Sequence, residues 1–178
     1  MNKKMKEKLK EIKMLILDVD GVMTDGKIIM DDEGRQLKNF DVRDGHRLKI
    51  IQRYGIKVAI LTGRKSEVVN HRAYDLEIKE IYQGALNKKE VFQEILLRHN
   101  LAASAVAYMG DDIIDIPVLR QVGFSAAVAD AVDVVKKSVD YVTRNKGGHG
   151  AVGELCEMIL QAQNKWTEIA EKYEFNDL

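Results

Sequence analysis

Met14-Leu-Ile-Leu-Asp-Val-Asp-Gly21 decides the fold: four apolar residues run straight into two carboxylates one residue apart, then a glycine. A short, continuous apolar run bounded by a turn signal reads as a strand buried on both faces. Side chains alternate along a strand, so Asp18 and Asp20 leave its end on the same side. Gly21 lets the backbone turn at once. Two acids so placed repel one another unless a cation lies between them or one keeps a proton. Either arrangement suits an enzyme that attacks with one acid and protonates a leaving group with the other.

Working outward, further apolar, β-branched runs predict strands at 56–61, 78–81, 105–109, 123–126 and 140–142, beside 14–18. Amphipathic stretches predict helices at 44–54, 65–75, 87–99, 112–121, 131–136 and about 150–173. This alternation predicts an α/β fold, a three-layer, Rossmann-like parallel sheet with helices on both faces. Only 27–40 breaks the pattern. Its apolar arms flank Asp31-Asp32-Glu33-Gly34, which predicts a β-hairpin projecting from the loop after the first strand. Residues 1–13 read as a lysine-rich helix or frayed segment, and 147–178 as a C-terminal loop and helix. With one proline, no Ser/Gly-rich linker and no repeat, residues 1–178 are expected to form a single domain.

Composition excludes several classes. Lys+Arg and Asp+Glu both number 28, so no net field steers the chain to nucleic acid or an anionic membrane. No apolar run approaches the length that crosses a bilayer, so no membrane insertion is expected. The N-terminal lysines precede no signal-like apolar segment. A lone Cys156 fits a reducing, cytoplasmic setting and a core position. His46, His71, His99 and His149 lack metal-ligand spacing.

In open parallel sheets, sites form outside the carboxyl ends of the strands. Four predicted strand ends carry groups suited to phosphate chemistry. Asp18 and Asp20 follow the first, Thr62-Gly63-Arg64 the second, Asn87-Lys88 the third, and Gly110-Asp111-Asp112-Ile-Ile-Asp115 the fourth. Each has an ordinary structural reading alone: a turn, a strand-to-helix loop, a solvated lysine, helix-capping acids. Their coincidence at successive strand ends points instead to one site. Neither a P-loop nor a dinucleotide fingerprint follows the first strand.

These motifs, in this order, resemble the haloacid dehalogenase superfamily of phosphohydrolases. The strings Asp20-Gly-Val-Met-Thr-Asp-Gly26, Val42-Arg-Asp-Gly45, Leu61-Thr-Gly-Arg64, Tyr82-Gln-Gly84 and Gly147-Gly-His-Gly-Ala-Val152 narrow the likeness. They are similar to 3-deoxy-D-manno-octulosonate 8-phosphate (KDO 8-phosphate) phosphatases over about residues 12–165. The resemblance implies a Mg²⁺-dependent sugar phosphatase working through an aspartyl-phosphate, with Asp18 as nucleophile and Asp20 as acid and base. It implies Mg²⁺ on Asp18, the Asp20 carbonyl and Asp111, with Asp112 and Asp115 orienting Asp111 or a metal-bound water. Thr62 and Lys88 would hold the phosphoryl oxygens, and Lys27, Gly63, Arg64 and Arg72 are candidate substrate contacts.

Asp18 and Thr62 lie 44 positions apart and Thr62 and Lys88 only 26, leaving no room for a cap domain. The resemblance then implies a homotetramer in which hairpins, apolar at Ile28, Met30, Leu37 and Phe40, help close neighbouring sites. It also implies that the glycine-rich 147–152 segment is a mobile lid over a neighbour's site. Arg47 stands where the family usually has glycine, and Gly153 where it usually has arginine. A nine-carbon keto-deoxy acid 9-phosphate is the alternative substrate. A non-catalytic phosphatase-like module is the alternative of another class, disfavoured because Asp18, Asp20 and Asp111 are all present.

Overall fold

A computed structural model describes residues 1–175; the last three residues of the expected 147–178 segment, 176–178, lie outside the described residues. The strands are β1 (Met14–Leu17), β2 (Ile29–Met30), β3 (Gln36–Leu37), β4 (Lys57–Thr62), β5 (Glu80–Gln83), β6 (Val106–Gly110), β7 (Phe124–Ala127) and β8 (Tyr141–Val142). Six of them form a parallel sheet ordered β5-β4-β1-β6-β7-β8. β1 is central and wholly buried, as its apolar run requires. Strand order reverses at β1, so its carboxyl end opens at the switch point of the sheet.

The helices are α1 (Lys3–Lys10), α2 (Val42–Arg53), α3 (Glu67–Asp75), α4 (Lys88–His99), α5 (Ile116–Leu119), α6 (Asp133–Lys136), α7 (Ala151–Ala162) and α8 (Trp166–Lys172). α7 packs against α1, α2 and α8, and α4 packs against α5. Only β2, β3 and α2 lie between β1 and β4, and only α3 between β4 and β5, so neither connection carries a cap domain.

Three sequence expectations change. Residues 112–121 are not one helix but a 3₁₀ turn at Ile113–Asp115 followed by the short α5, whose first turn accepts Pro117. The long C-terminal helix breaks at 163–165, where Asn164 is left-handed (φ 58°). There the Gln163 side chain donates to the carbonyls of Leu9 and Ile12, tying the break to the end of α1 (3.2 and 2.8 Å). The third sheet strand starts two residues late, at Glu80.

β2 and β3 pair antiparallel, Ile29 opposite Leu37. Asp31 holds the turn by accepting from Glu33 N and Arg35 N (3.0 and 2.8 Å). Ile28, Met30 and Leu37 are exposed, whereas Phe40 packs on the chain's own core beneath the Arg72 guanidinium.

Three segments distant in sequence meet beside the loop after β1. Gly148 N donates to Val22 O (3.0 Å), and a Cβ on Gly147 would collide with Gly21 O. The segment expected to be a mobile lid therefore packs on the first loop of its own chain. Its glycines allow backbone to lie on backbone at residues 21–25 of the same chain. Asp44 of α2, itself buried, accepts from Gly153 N (2.6 Å) and Gly150 N (3.3 Å) and so caps α7 from a neighbouring helix. Burial pushes the Asp44 carboxyl above its ordinary value.

Candidate active site

The β1 ladder continues into Asp18, whose N–H donates to Met109 O (3.1 Å). One Asp18 oxygen accepts from Val19 N (2.7 Å) and the other lies 2.9 Å from Lys88 Nζ. Lys88 begins α4, just after the Asn87 cap, and its side chain is 1% exposed. A buried ammonium is costly unless paired. Here it also donates to Asp115 Oδ1 (2.6 Å) and Tyr108 Oη (3.2 Å). Burial works against its charge, but the Asp18 and Asp115 carboxylates outweigh that and raise its pKa.

Asp115 is the organising acid. It is fully buried and accepts four hydrogen bonds: Lys88 Nζ and Tyr108 Oη (2.6 Å) on Oδ1, Asp111 N (3.0 Å) and Asp112 N (3.2 Å) on Oδ2. A side chain at Gly110 would occupy its place. The spacing Gly-Asp-Asp-x-x-Asp is thus a fold-back in which the last acid fixes the backbone of the first two. Asp112 is exposed, caps Ile113 N (2.7 Å) and makes no hydrogen bond to the Asp111 side chain.

Oxygens of Asp18, Asp111 and Asp115 lie within 4.8 Å of one another. Burial lifts Asp111 to about 7, helped by the facing Asp18 and Asp115 carboxylates, and Asp18 to about 6, despite the opposing Lys88. Asp111 Oδ1 is buried without a hydrogen-bond partner. Converging hard oxygens, one of them unpartnered, fit a divalent cation such as Mg²⁺. Because Asp115 is already spent on four donors, Asp18 and Asp111 are the side chains left for it.

Thr62 ends β4, next to β1, and is buried. A Cβ at Gly63 would meet Ile114 Cδ1 and Ala85 O at ordinary contact distances (3.8 and 3.9 Å). Arg64 points toward the acids, with Nε 3.9 Å from Asp20 Oδ2. The other two candidate substrate contacts have partners within the chain. Lys27 is exposed and pairs with Asp25 (3.0 Å). Arg72 donates to Asp41 O (3.2 Å) and stacks on Phe40 in the space that Gly45 leaves open, bracing the start of α2, while its Nε is buried without a hydrogen-bond partner.

Two residues escape the sequence reading. Tyr108 reads as a core aromatic within a strand, yet its hydroxyl serves Asp115. Lys38, at the base of the hairpin, reads as a solvated charge, yet its ammonium lies on Asp20 Oδ1. Arg47 and Gly153 prove to be neighbours. A Cβ at Gly153 would stand 3.3 Å from Arg47 Cγ, and Arg47 Nε reaches Glu157 (2.6 Å). The added side chain fills space beside the missing one, and neither residue touches Asp18, Asp20 or Asp111.

Comparison with known proteins agrees with this geometry. Residues 67–155 match the haloacid dehalogenase-like hydrolases. The chain is 48% identical over 161 residues, 90% of its length and 86% of the other's, to the 3-deoxy-D-manno-octulosonate 8-phosphate phosphatase KdsC of Escherichia coli K12. It superposes on the crystal structure of the phosphatase of that name from Yersinia pestis with a TM-score of 0.91 and 45% identity, covering 93% and 89% of the two chains. The Moraxella catarrhalis phosphatase, solved with magnesium, phosphate and KDO, gives a TM-score of 0.95 at 37% identity and covers 97% and 99%. An acid-lined sheet switch point without a cap, and kinship along nine-tenths of the sequence, place this chain in the haloacid dehalogenase-like hydrolase family.

Proposed function

We propose that the chain is a phosphatase that hydrolyses KDO 8-phosphate to KDO and inorganic phosphate with Mg²⁺ as cofactor. The observation that carries this reading is the convergence of Asp18, Asp111 and the buried Lys88 where β1 opens, in a chain closely related to KdsC. When bound, Mg²⁺ would be held by Asp18, Asp111 and the Asp20 carbonyl, and would screen the charge of a dianionic phosphate from an attacking carboxylate.

The residues then divide the work. The Asp18 carboxylate attacks phosphorus, the bond from phosphorus to the sugar oxygen breaks, and that oxygen takes a proton from the Asp20 side chain. Asp20, now ionised, removes a proton from water. The water oxygen attacks phosphorus, and the bond to Asp18 breaks to release phosphate. Lys88 and Thr62 hold phosphoryl oxygens. Lys88, fixed by Asp115 and Tyr108, needs no reorganisation as charge develops. Asp115 positions Lys88 and the Asp111 backbone. Arg64, across from Asp20, is the cation placed to meet the sugar acid.

Assembly belongs to the same reading. Ile28, Met30 and Leu37 on the hairpin are 57–61% exposed, and Leu86, Ile113 and Ile114 are exposed on loops following β5 and β6. A hairpin of two-residue strands is marginal in water unless something covers it. Packing of hairpins in a homotetramer would cover this face and shield a capless site. Among the described residues no helix is long and apolar enough to cross a membrane. That, with a buried free Cys156, supports a cytoplasmic setting.

The test is phosphate release from KDO 8-phosphate, a nine-carbon keto-deoxy acid 9-phosphate and hexose phosphates, with and without Mg²⁺, alongside Asp18→Asn. Preference for KDO 8-phosphate that vanishes in the variant supports the whole reading. Preference for another phosphate overturns the substrate, and no Mg²⁺-dependent release overturns the enzyme.

A further inference from the structure

We infer that Lys38 is a positioning residue for Asp20, fixing which of its two oxygens delivers the proton to the leaving group; this rests on the phosphatase reading above. Lys38 directly follows β3. Its neighbour Leu37 is 57% exposed, while the Lys38 side chain is 5% exposed, so the chain turns one residue out and the next in. Burying a lysine at the foot of a solvent-exposed hairpin costs free energy unless its ammonium gains a partner. Its partner among the described residues is Asp20 Oδ1.

An ammonium has donors and no acceptor, so the oxygen it holds must accept. A proton on Asp20 therefore belongs on Oδ2. That oxygen has no hydrogen bond of its own among the described residues: Arg64 Nε, at 3.9 Å, is too far for one. Asp20 is partly exposed and sits in a loop, where an unanchored carboxyl would rotate among positions. Lys38 removes that freedom. In the first half-reaction the Oδ2 proton passes to the sugar oxygen as that oxygen takes the electron pair of the breaking P–O bond. In the second half, Oδ2 takes a proton from the attacking water.

Leaving groups separate this role from a merely structural one. A sugar alkoxide needs the proton, whereas 4-nitrophenolate departs without it. Wild type, Lys38→Met, Lys38→Gln, Lys38→Arg and Asp18→Asn would each be assayed on KDO 8-phosphate and on 4-nitrophenyl phosphate. In single-turnover release of the leaving group, which reads the first half-reaction alone, Lys38→Met and Lys38→Gln should slow the sugar phosphate by about 100-fold and the aryl phosphate by less than about threefold, with little change in steady-state KM. Lys38→Arg should recover part of the loss, because it keeps the donor. Equal losses on both substrates, or an effect confined to KM, would overturn the inference. Asp18→Asn, expected to be inactive on both, tests the underlying reading separately. Thermal melting of each variant shows that the comparison is made on folded protein.

Discussion

Replacing Asp115 by Asn removes one charge and exchanges one acceptor oxygen for an NH₂. Asp115 meets four donors, two on each oxygen, and none can turn into an acceptor except the Tyr108 hydroxyl. Whichever way the amide faces, its NH₂ confronts two donors. Hydrogen bonds to a charged group contribute about 1.5–3 kcal/mol each, so losing two costs about 3–6 kcal/mol. Removing one of three facing carboxylates relieves repulsion on Asp18 and Asp111, which offsets part of that. The expected net loss is about 2–4 kcal/mol, a large share of the stability of an ordinary domain. With a urea m-value of about 2 kcal/mol/M, the unfolding midpoint should fall by about 1–2 M. Asp112→Asn is the control: exposed and capping one N–H, it should stay within about 1 kcal/mol of wild type. An Asp115→Asn midpoint indistinguishable from that of Asp112→Asn would refute the claim that Asp115 organises the site.

Other perturbations test other parts of the argument. Glu154 accepts from Tyr141 Oη (2.6 Å), Arg144 N and Asn145 N, and these bonds hold its pKa below the ordinary 4.5 although burial pulls the other way. A depressed carboxylate stabilises the fold above its unfolded pKa and stops doing so as pH falls through the folded value. The stability gap between wild type and Glu154→Gln should therefore be full near pH 7 and shrink below about pH 4.5, as read by urea unfolding at several pH values. Gly153→Arg alone should cost about 1–3 kcal/mol by crowding Arg47 and Asp44, and Arg47→Gly in the same chain should restore much of it. A double-mutant cycle measures that coupling, and simple additivity would show that the two residues are independent. Gly147→Ala drives a methyl into Gly21 O, so it should lower both kcat and melting temperature.

The four inner strands of the main sheet were legible as apolar runs because a strand buried on both faces leaves little choice of residue, whereas the half-buried edge strands β5 and β8 carry a weaker signal. The acids at 18, 20 and 111 and the lysine at 88 were legible as candidates because the sheet delivers every strand end to one side. What stayed hidden depends on tertiary contact. Nothing local separates Lys38, turned inward, from Lys27, turned out. Arg72 looked like a free cation because the Phe40 ring that covers it lies 32 residues earlier in the chain. The helix break at 163–165 depends on Gln163 reaching α1, some 150 residues away. The glycines at 147–148 suggested mobility, but their small size serves close contact instead.

That contact has a consequence for how the chain matures. Asp18, Asp20, Asp111, Asp115 and Lys88 have all been synthesised by residue 115, yet the loop at 21–25 rests on Gly147 and Gly148, which Asp44 and α7 hold in place. A nascent chain therefore carries its full set of reactive groups well before the support beneath them exists. The order of synthesis keeps the site unfinished until the last quarter of the protein has emerged and docked.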